Sequence, residues 1–458
     1  MNTTLSKKLH FKNVIYILLL CFCIFVTFLS IYYFHKHNNI YKFSSDIAKE
    51  YTKYLSSDEL EGRLPGTDGN KKACDYVENH FKSLGLEQFD GSYENPFDME
   101  YPKLLDFKPK FTITKDNNNL DLIYGTDYMD NGSNYDINEL TFTSKDIIES
   151  KEFSFVISKN NSLVLIIAHN TIDSRYSYCK DFKYDLCISV SLEMFKKLKT
   201  DLDNGASAYI HIPFEPENTT VNNIVGYIKG KDSSKSPVIF SCHLDHVGTD
   251  SLGNIYNGAL DNASGTGFLM EFSKYVKSLG TPNRDILFVA FNGEDSGLLG
   301  SKAFADKYAD KFKDSTVYNF DMIGGSNNIE LRLVGSDGDT KNTEPIKSLS
   351  KIAEKQKAYF NYEFAPLSDH DPFRQHNIDA VTFCDNDDVR IHKPLDTIDF
   401  IDTKSIDRTF FIISEEINNK YYTKNIFSEY SLFFLIAGGL SSTLFIVLII
   451  KNNKKKVS

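Results

Sequence analysis

The amino-acid sequence predicts an α/β fold, with a mixed, mostly parallel sheet covered by helices on both faces. From Asn223 onward, short apolar runs alternate with amphipathic stretches, which is typical of strands alternating with helices. Polar side chains follow these apolar runs where each one stops, as expected at the carboxyl ends of strands in such a sheet. The chain has 458 residues, enough for a large core and an inserted domain.

The body of the chain has three parts. Residues 35–104 begin the α/β domain, because two helical patterns flank the turn-rich loop LEGRLPGTDGN. Residues 105–222 contain short alternating runs and many Asn and Asp turns, which predict a β-rich insert with a helix near Ser191–Leu202. Residues 223–420 complete the domain by strand–helix alternation. We expect strands at IVGYIKG, PVIFSCH, DILFVAFNGED, TVYNFDMIGG and AVTFCD, and helices at Thr266–Leu279, Ser301–Lys313, Thr343–Gln356 and Thr403–Asn419.

Two uncharged apolar runs lie near the ends of the chain, at residues 13–34 and 431–450. Each has about 20 residues, which is long enough to cross a bilayer as a helix. Lysines occur in the tail before the first run (1–12) and in the tail after the second (451–458). The positive-inside rule then predicts a cell-membrane protein with both tails in the cytoplasm and residues 35–430 outside. A cleaved signal peptide is the alternative for the first run, and a buried helix for the second.

The charge balance argues against a nucleic-acid partner. The chain has 51 Lys and Arg against 62 Asp and Glu, a net charge of −11. Because the two tails contribute lysine and no acid, the body between them is more acidic than the whole chain. Such a surface repels phosphate backbones.

Histidines and carboxylates follow the predicted strands of residues 223–420. Each is ambiguous alone, since a lone histidine after a strand is usually structural and an Asp before a helix is often only a cap. When they lie together at one edge of a sheet, however, these residues are the ligand types found in two-metal hydrolytic sites. The five candidate ligands are His243, Asp261, Asp295, Asp321 and His392.

These ligands form two sets that share one bridging carboxylate. One metal would be bound by His243, Asp261 and Asp321, and the other by Asp261, Asp295 and His392. Two nitrogen and three carboxylate ligands suit zinc, with Mn or Co also permitted by the geometry. We therefore expect two Zn²⁺ ions per chain, which would polarise a carbonyl and activate a water molecule.

Two further carboxylates are candidate catalytic residues. Glu294 precedes Asp295 in a loop between an apolar strand and a helix. Consecutive carboxylates in a loop are often only solvated, but here one side chain can bind metal while the other acts as general base, and we assign that second role to Glu294. Asp245 lies two residues after His243 and can accept its other ring N–H, which would hold the imidazole in one tautomer.

As a set, these blocks resemble the co-catalytic zinc peptidases, a family that includes bacterial and vacuolar aminopeptidases, glutamate carboxypeptidase and the transferrin receptor ectodomain. The resemblance covers the stretch from LSSDELEGRLPGTDGN to Leu86, and then Asn223 to about Asp402. It implies the zinc exopeptidase fold and the metal roles given above. It also implies that the insert is a protease-associated-like domain.

The resemblance adds one substrate-binding candidate and two departures. LSDHDPF resembles a family loop beside the substrate pocket, so His370 is a candidate for contact with substrate. Asp295 stands where many relatives have Glu, and the shorter side chain could move or weaken the second metal. Lys393 follows His392 where Thr or Ser is common.

The function predicted from these features is a membrane-anchored exopeptidase acting on peptides, with an aminopeptidase as the leading hypothesis. A carboxypeptidase and a glutaminyl-cyclase-like enzyme are alternatives on the same fold. Cyclases of this fold typically use one metal, and a carboxypeptidase would need arginines directed at the substrate carboxylate. A non-catalytic, receptor-like ectodomain is a further alternative, although family members with that role have lost metal ligands.

Overall fold

The computed structural model describes residues 2–132, 134–326, 329–423 and 426–457. It divides into two units, which are treated separately below. The first unit contains the helices at the two ends of the chain and consists of Met1–Lys42, Ser278–Gly280 and Ile417–Ser458. The second unit contains all the predicted site residues and consists of Phe43–Lys277 and Thr281–Glu416.

The described residues form helices and strands, which alternate most regularly after Val238. The helices are α1 (Asn2–Asn38), α2 (Ser45–Leu55), α3 (Asp68–Ser83), α4 (Leu192–Asp203), α5 (Gly265–Ser278), α6 (Leu299–Tyr308), α7 (Ile346–Lys355), α8 (Asp371–Gln375), α9 (Thr403–Lys420), α10 (Ile426–Glu429) and α11 (Ser431–Val457). The strands are β1 (Glu94–Leu104), β2 (Lys110–Lys115), β3 (Asn118–Asp121), β4 (Tyr128–Asp130), β5 (Glu139–Thr143), β6 (Ile147–Ser150), β7 (Ser154–Lys159), β8 (Ser162–His169), β9 (Leu186–Ser191), β10 (Ser207–His211), β11 (Phe214–Ile228), β12 (Val238–His243), β13 (Ile286–Phe291), β14 (Thr316–Phe320), β15 (Leu331–Gly335), β16 (Phe360–Phe364) and β17 (Asp379–Asp385).

The main sheet has eight strands in the order β1-β11-β13-β12-β14-β17-β15-β16. Its four central strands, β13, β12, β14 and β17, run parallel to one another. At one side of these four strands, β11 is antiparallel to β13 and β1 is antiparallel to β11. At the other side, β15 is antiparallel to β17. β12 and β13 are buried along their whole length, which accounts for their continuous apolar sequences. The prediction of an α/β fold with a large mixed sheet is confirmed.

The predicted strands and helices of residues 223–420 are found near their expected positions, but three strands of the sheet were not predicted. β1 is an edge strand that contains Pro96 and Pro102, and proline argues against a strand in sequence reasoning. β15 is only five residues long. β16 lies at the other edge of the sheet and is only partly buried, so its sequence lacks an apolar run.

Strands β2 to β10 form two smaller sheets within the same unit. One has four strands in the order β3-β2-β10-β5, and the other has five in the order β4-β9-β8-β7-β6. A cluster of buried apolar side chains, made only of residues between Phe111 and Phe214, joins these sheets with helix α4. This segment therefore has a hydrophobic core of its own.

The first unit contains two long apolar helices, α1 and α11. By length and composition, His10–His35 and Ser431–Lys454 could each cross a membrane. The two helices are antiparallel neighbours, since Asn13 lies near the end of α11 and hydrogen-bonds to Asn453, with a Nδ2–Oδ1 distance of 2.7 Å. Near the middle, a Cβ atom on Gly438 would lie 2.4 Å from Thr27 Oγ1, so glycine permits this close approach.

Candidate metal centre

The predicted ligands meet at the carboxyl ends of the four parallel strands. His243 is the last residue of β12, and Asp321 directly follows β14. Asp295 lies four residues after β13, in the loop that leads to α6. His392 lies in the loop after β17, and Asp261 lies in the turn Ala259–Ser264 that precedes α5. Residues far apart in the sequence thus converge because parallel strands end at one edge of the sheet.

The first group of possible ligands is centred on His243, which is buried. Its Nε2 lies 3.4 Å from Asp261 Oδ1 and 3.3 Å from Asp321 Oδ1. Glu294 Oε2 is slightly farther away, at 3.9 Å from the same nitrogen. Asp321 also accepts a hydrogen bond from the Ser368 hydroxyl at 2.7 Å, which fixes its second oxygen.

The second group is centred on His392. Its Nε2 lies 3.2 Å from Asp261 Oδ2 and 2.9 Å from Asp295 Oδ1. The two oxygens of Asp261 therefore face different histidines, as a bridging carboxylate requires. Ligands around a tetrahedral zinc ion, with bonds of about 2.0–2.2 Å, are about 3.3–3.6 Å apart. Most of the distances in both groups are close to these separations, so the residues present fit two metal ions.

The electrostatics of the two groups also fit cations. Burial opposes protonation of His243, but Glu294 and Asp321 outweigh it and raise its pKa well above the ordinary value. In the same way, Asp295 and Asp261 overcome burial and raise the pKa of His392. Burial raises the pKa of Glu294 well above its ordinary value, and Asp321 adds to this effect. The cluster thus concentrates buried negative charge that a cation would neutralise.

Asp245 connects the end of β12 to the loop that carries Glu294. Its Oδ1 accepts the backbone N–H of Glu294 at 3.2 Å, and its Oδ2 accepts that of Asp295 at 3.3 Å. Its Oδ1 lies 3.7 Å from His243 Nδ1, slightly longer than a hydrogen bond. Asp245 is therefore placed to orient both His243, a candidate ligand, and Glu294, the expected general base.

Sequence reasoning missed three residues that support the site. Arg63 is fully buried, and its guanidinium donates to the carbonyl oxygens of Leu55, Leu244, Asn257 and Gly258, at 2.5–2.9 Å. Asp396 accepts the backbone N–H groups of Leu260 and Asp261, at 2.8 and 3.0 Å. Asn262 accepts the N–H groups of Gly265 and Met322. The only signal in the sequence was that all three lie within the regions of family resemblance.

His246 is a further residue that was not predicted. It follows His243 by three residues, on the same loop, and its side chain is fully buried. Its Nδ1 lies 3.2 Å from Asp295 Oδ2 and 3.7 Å from Asp261 Oδ2. The repeated histidine in the motif HLDH was the available signal.

His370 lies close to the sheet but is fully buried, and its Nδ1 is 2.8 Å from the Thr382 hydroxyl. Burial lowers the pKa of His370. The preceding residue, Asp369, is also buried, and burial raises its pKa to about 7. The substrate contact expected of His370 stays a prediction.

The β-rich segment reaches this centre through the loop between β8 and β9. The backbone N–H of Arg175 donates to the carbonyl oxygen of His392 at 2.9 Å. The ring of Tyr176 meets that of His392 edge to face, with centroids 5.7 Å apart. Arg175 is itself held near Asp130, at 3.6 Å. The loop that carries His392 is therefore supported through both its backbone and its ring.

Comparisons with known proteins agree with the expected resemblance. Residues 223–417 match the model of Peptidase family M28. The chain is 28% identical to Aminopeptidase YwaD of Bacillus subtilis (strain 168) over 214 residues, which are 44% of this chain and 45% of that protein. The match therefore spans less than half of this curated relative. The resemblance predicted from the sequence is confirmed.

Solved structures show the same fold. An aminopeptidase from Aneurinibacillus sp. strain AM-1 is similar with a TM-score of 0.63 and 20% identity, over 85% of this chain and 97% of that one. BSAP, a zinc aminopeptidase from Bacillus subtilis, is similar with a TM-score of 0.62 and 20% identity, over 84% and 98%.

Proposed function

We propose that the chain is a zinc-dependent aminopeptidase, because residues 223–417 match the model of Peptidase family M28. It would remove N-terminal residues from peptides. The observation that carries the proposal is the pair of ligand groups that share the two oxygens of Asp261, with Glu294 beside the first group. His243, Asp261 and Asp321 would hold one zinc ion, and the second group would hold the other.

When bound, two zinc ions supply Lewis acidity, which polarises the scissile carbonyl and lowers the pKa of a water molecule. Glu294 is the proton acceptor in this proposal. Its Oε2 lies 3.9 Å from His243 Nε2, at the edge of the first group. Burial and the neighbouring Asp321 raise its pKa. Glu294 would take this proton from the attacking water and pass it to the leaving amine nitrogen as the peptide bond breaks.

The charge around the site favours a substrate with a free amino group. The site carboxylates Asp245, Asp261, Glu294, Asp295 and Asp321 would carry five negative charges against the four positive charges of two zinc ions, so a positively charged N-terminus is attracted. A carboxypeptidase would need a free cation for the substrate carboxylate. Among the described residues, the arginines of the catalytic part already bind carboxylates or backbone carbonyls: Arg63, Arg284, Arg332, Arg374, Arg390 and Arg408.

The cyclase and the receptor-like module are supported less well than an aminopeptidase. A cyclase of this fold typically needs one metal, whereas His243 lies near Asp261 and Asp321, and His392 lies near Asp261 and Asp295, which supports two metals. A receptor-like module would not require Glu294 in a buried position beside His243.

We further propose that α1 and α11 anchor the enzyme in the cell membrane, with residues 35–430 outside the cell. Both helices are long and apolar enough to cross a bilayer. Their antiparallel contact through Asn13 and Asn453 supports two tails on one side of the membrane. The lysines of both tails favour the cytoplasmic side. Labelling an added cysteine in each tail, in intact and in permeabilised cells, would test this topology.

The activity is tested with the full chain in detergent and a panel of aminoacyl anilides, either free or N-acetylated. We expect cleavage of the free-amine substrates only, with loss on chelation and recovery on adding Zn²⁺. Cleavage of peptides from the carboxyl end instead would favour a carboxypeptidase. The absence of any bound metal would contradict an enzyme of this type.

A further inference from the structure

His246 is held rigidly beside the second ligand group. Its backbone N–H donates to the Arg63 carbonyl at 3.4 Å, and its side chain is fully buried. On one side of the ring lies Gly258, whose φ is +55°, and a Cβ atom there would lie 2.4 Å from the ring carbon Cδ2. A glycine at this position therefore leaves room for the imidazole.

His246 presents its ring to the carboxylates in the same way as the two predicted histidine ligands. In His243, His246 and His392, one ring nitrogen faces the carboxylates of the ligand groups, while the other is buried and makes no hydrogen bond within the described residues, although that of His243 lies 3.7 Å from Asp245. In His246 the nitrogen that faces the carboxylates is Nδ1.

The distances around the second group fit four ligands. His246 Nδ1 lies 3.2 Å from Asp295 Oδ2 and 3.7 Å from Asp261 Oδ2. His392 Nε2 lies 2.9 and 3.2 Å from the same two carboxylates. These values scatter around the separation of about 3.3–3.6 Å between ligands of a tetrahedral zinc ion.

We propose that His246 Nδ1 is a fourth protein ligand of the second metal ion, which is thereby enclosed by two histidines and two aspartates. The inference rests on the proposed two-metal function. The first group, with His243, Asp261 and Asp321, has three protein ligands and keeps a position free beside Glu294. The two sites are therefore unequal: the second is closed, as in structural zinc sites, and the first is open, as in catalytic ones.

The rival interpretation is that His246 keeps a proton on Nδ1 and donates it to Asp295 Oδ2. Asparagine at position 246 distinguishes the ligand interpretation from the donor interpretation. Its side-chain amide can donate a hydrogen bond from a position similar to that of Nδ1, but it is a poor ligand for zinc or cobalt. His246→Asn should therefore preserve the site if His246 is a donor and should damage it if His246 is a ligand.

The experiment uses the full chain in detergent, freed of metal and titrated with Co²⁺ while visible absorption is recorded. We expect two Co²⁺ ions per chain, one held by four protein ligands and the other by three protein ligands and a water molecule. His246→Asn should change the absorption of the first of these ions and weaken its binding by more than about 100-fold, since removing even an outer-shell partner costs 10–100-fold. The absorption of the other ion should remain.

His376→Asn is the matched control, because His376 pairs with Asp306 at the surface, outside the metal centre. It should bind cobalt as the wild type does. Two cobalt ions with no four-coordinate absorption in the wild-type chain would overturn the inference without any variant. Unchanged absorption and affinity in a folded His246→Asn variant would overturn it too, while the two-metal proposal would stand. A wild-type chain that binds fewer than two ions would overturn both.

Discussion

Replacing Glu294 with glutamine removes a proton acceptor while keeping the size and shape of the side chain. Glu294 is mostly buried, with a side chain 10% exposed, and its Oε2 lies 3.9 Å from His243 Nε2. The amide cannot take a proton from the attacking water. It can still occupy the same position, because the backbone N–H of residue 294 remains bound to Asp245.

A positioned general base contributes about 10²–10⁴-fold to a rate. This range corresponds to about 3–5 kcal/mol of activation free energy. Burial and Asp321 raise the pKa of Glu294 above that of an exposed glutamate. We therefore expect Glu294→Gln to lower kcat by at least about 10²-fold, with zinc content unchanged.

The assay compares kcat for a free aminoacyl anilide with zinc content measured on the same samples. Glu78→Gln is the matched control, because it makes the same chemical change in a surface pair with Lys82 on α3. It should leave kcat unchanged. A Glu294→Gln enzyme with nearly full kcat would remove Glu294 from its role. Loss of both zinc and activity would mean that Glu294 acts chiefly on metal binding.

Three further outcomes follow from the structure. Asp245→Asn should weaken zinc binding by about 10–100-fold, because an amide cannot accept both N–H groups of the base loop, and a chelator-competition titration checks this. Arg63→Met should lower the free energy of unfolding by at least about 4 kcal/mol, because four buried carbonyl oxygens each lose a hydrogen-bond donor. A denaturant titration measures this loss, and an equally stable variant would refute the reasoning. Burial lowers the pKa of His80 to about 4 in the folded protein, so the unfolded chain binds more protons between pH 6.5 and 4. The free energy of unfolding should therefore fall by about 3 kcal/mol as the pH falls through this window. Denaturant unfolding at several pH values checks this, and His80→Gln should lose that part of the pH dependence.

Much of the catalytic domain could be predicted from the sequence because its signals are local. A buried parallel strand is a continuous apolar run, as in β12 and β13, and the polar residues that follow it lie at a known edge of the sheet. For that reason the α/β class could be predicted from the sequence, and the candidate ligands from His243 to His392 could be proposed. The edge strands β1 and β16 were missed because they are partly exposed and lack an apolar run.

By itself, the sequence predicted the alternation of strands and helices after Asn223, except for β15 and β16, and it supplied the five candidate ligands of two metals. Only the tertiary structure decided which oxygen of Asp261 faces which histidine, and that Arg63 binds carbonyls as distant in sequence as Gly258. It also decided that His246 lies beside Asp295 rather than in a solvated loop. The physical reason is that ring orientation and buried hydrogen bonds depend on packing between segments far apart in the chain. Periodicity and motif spacing report only on neighbours in the sequence.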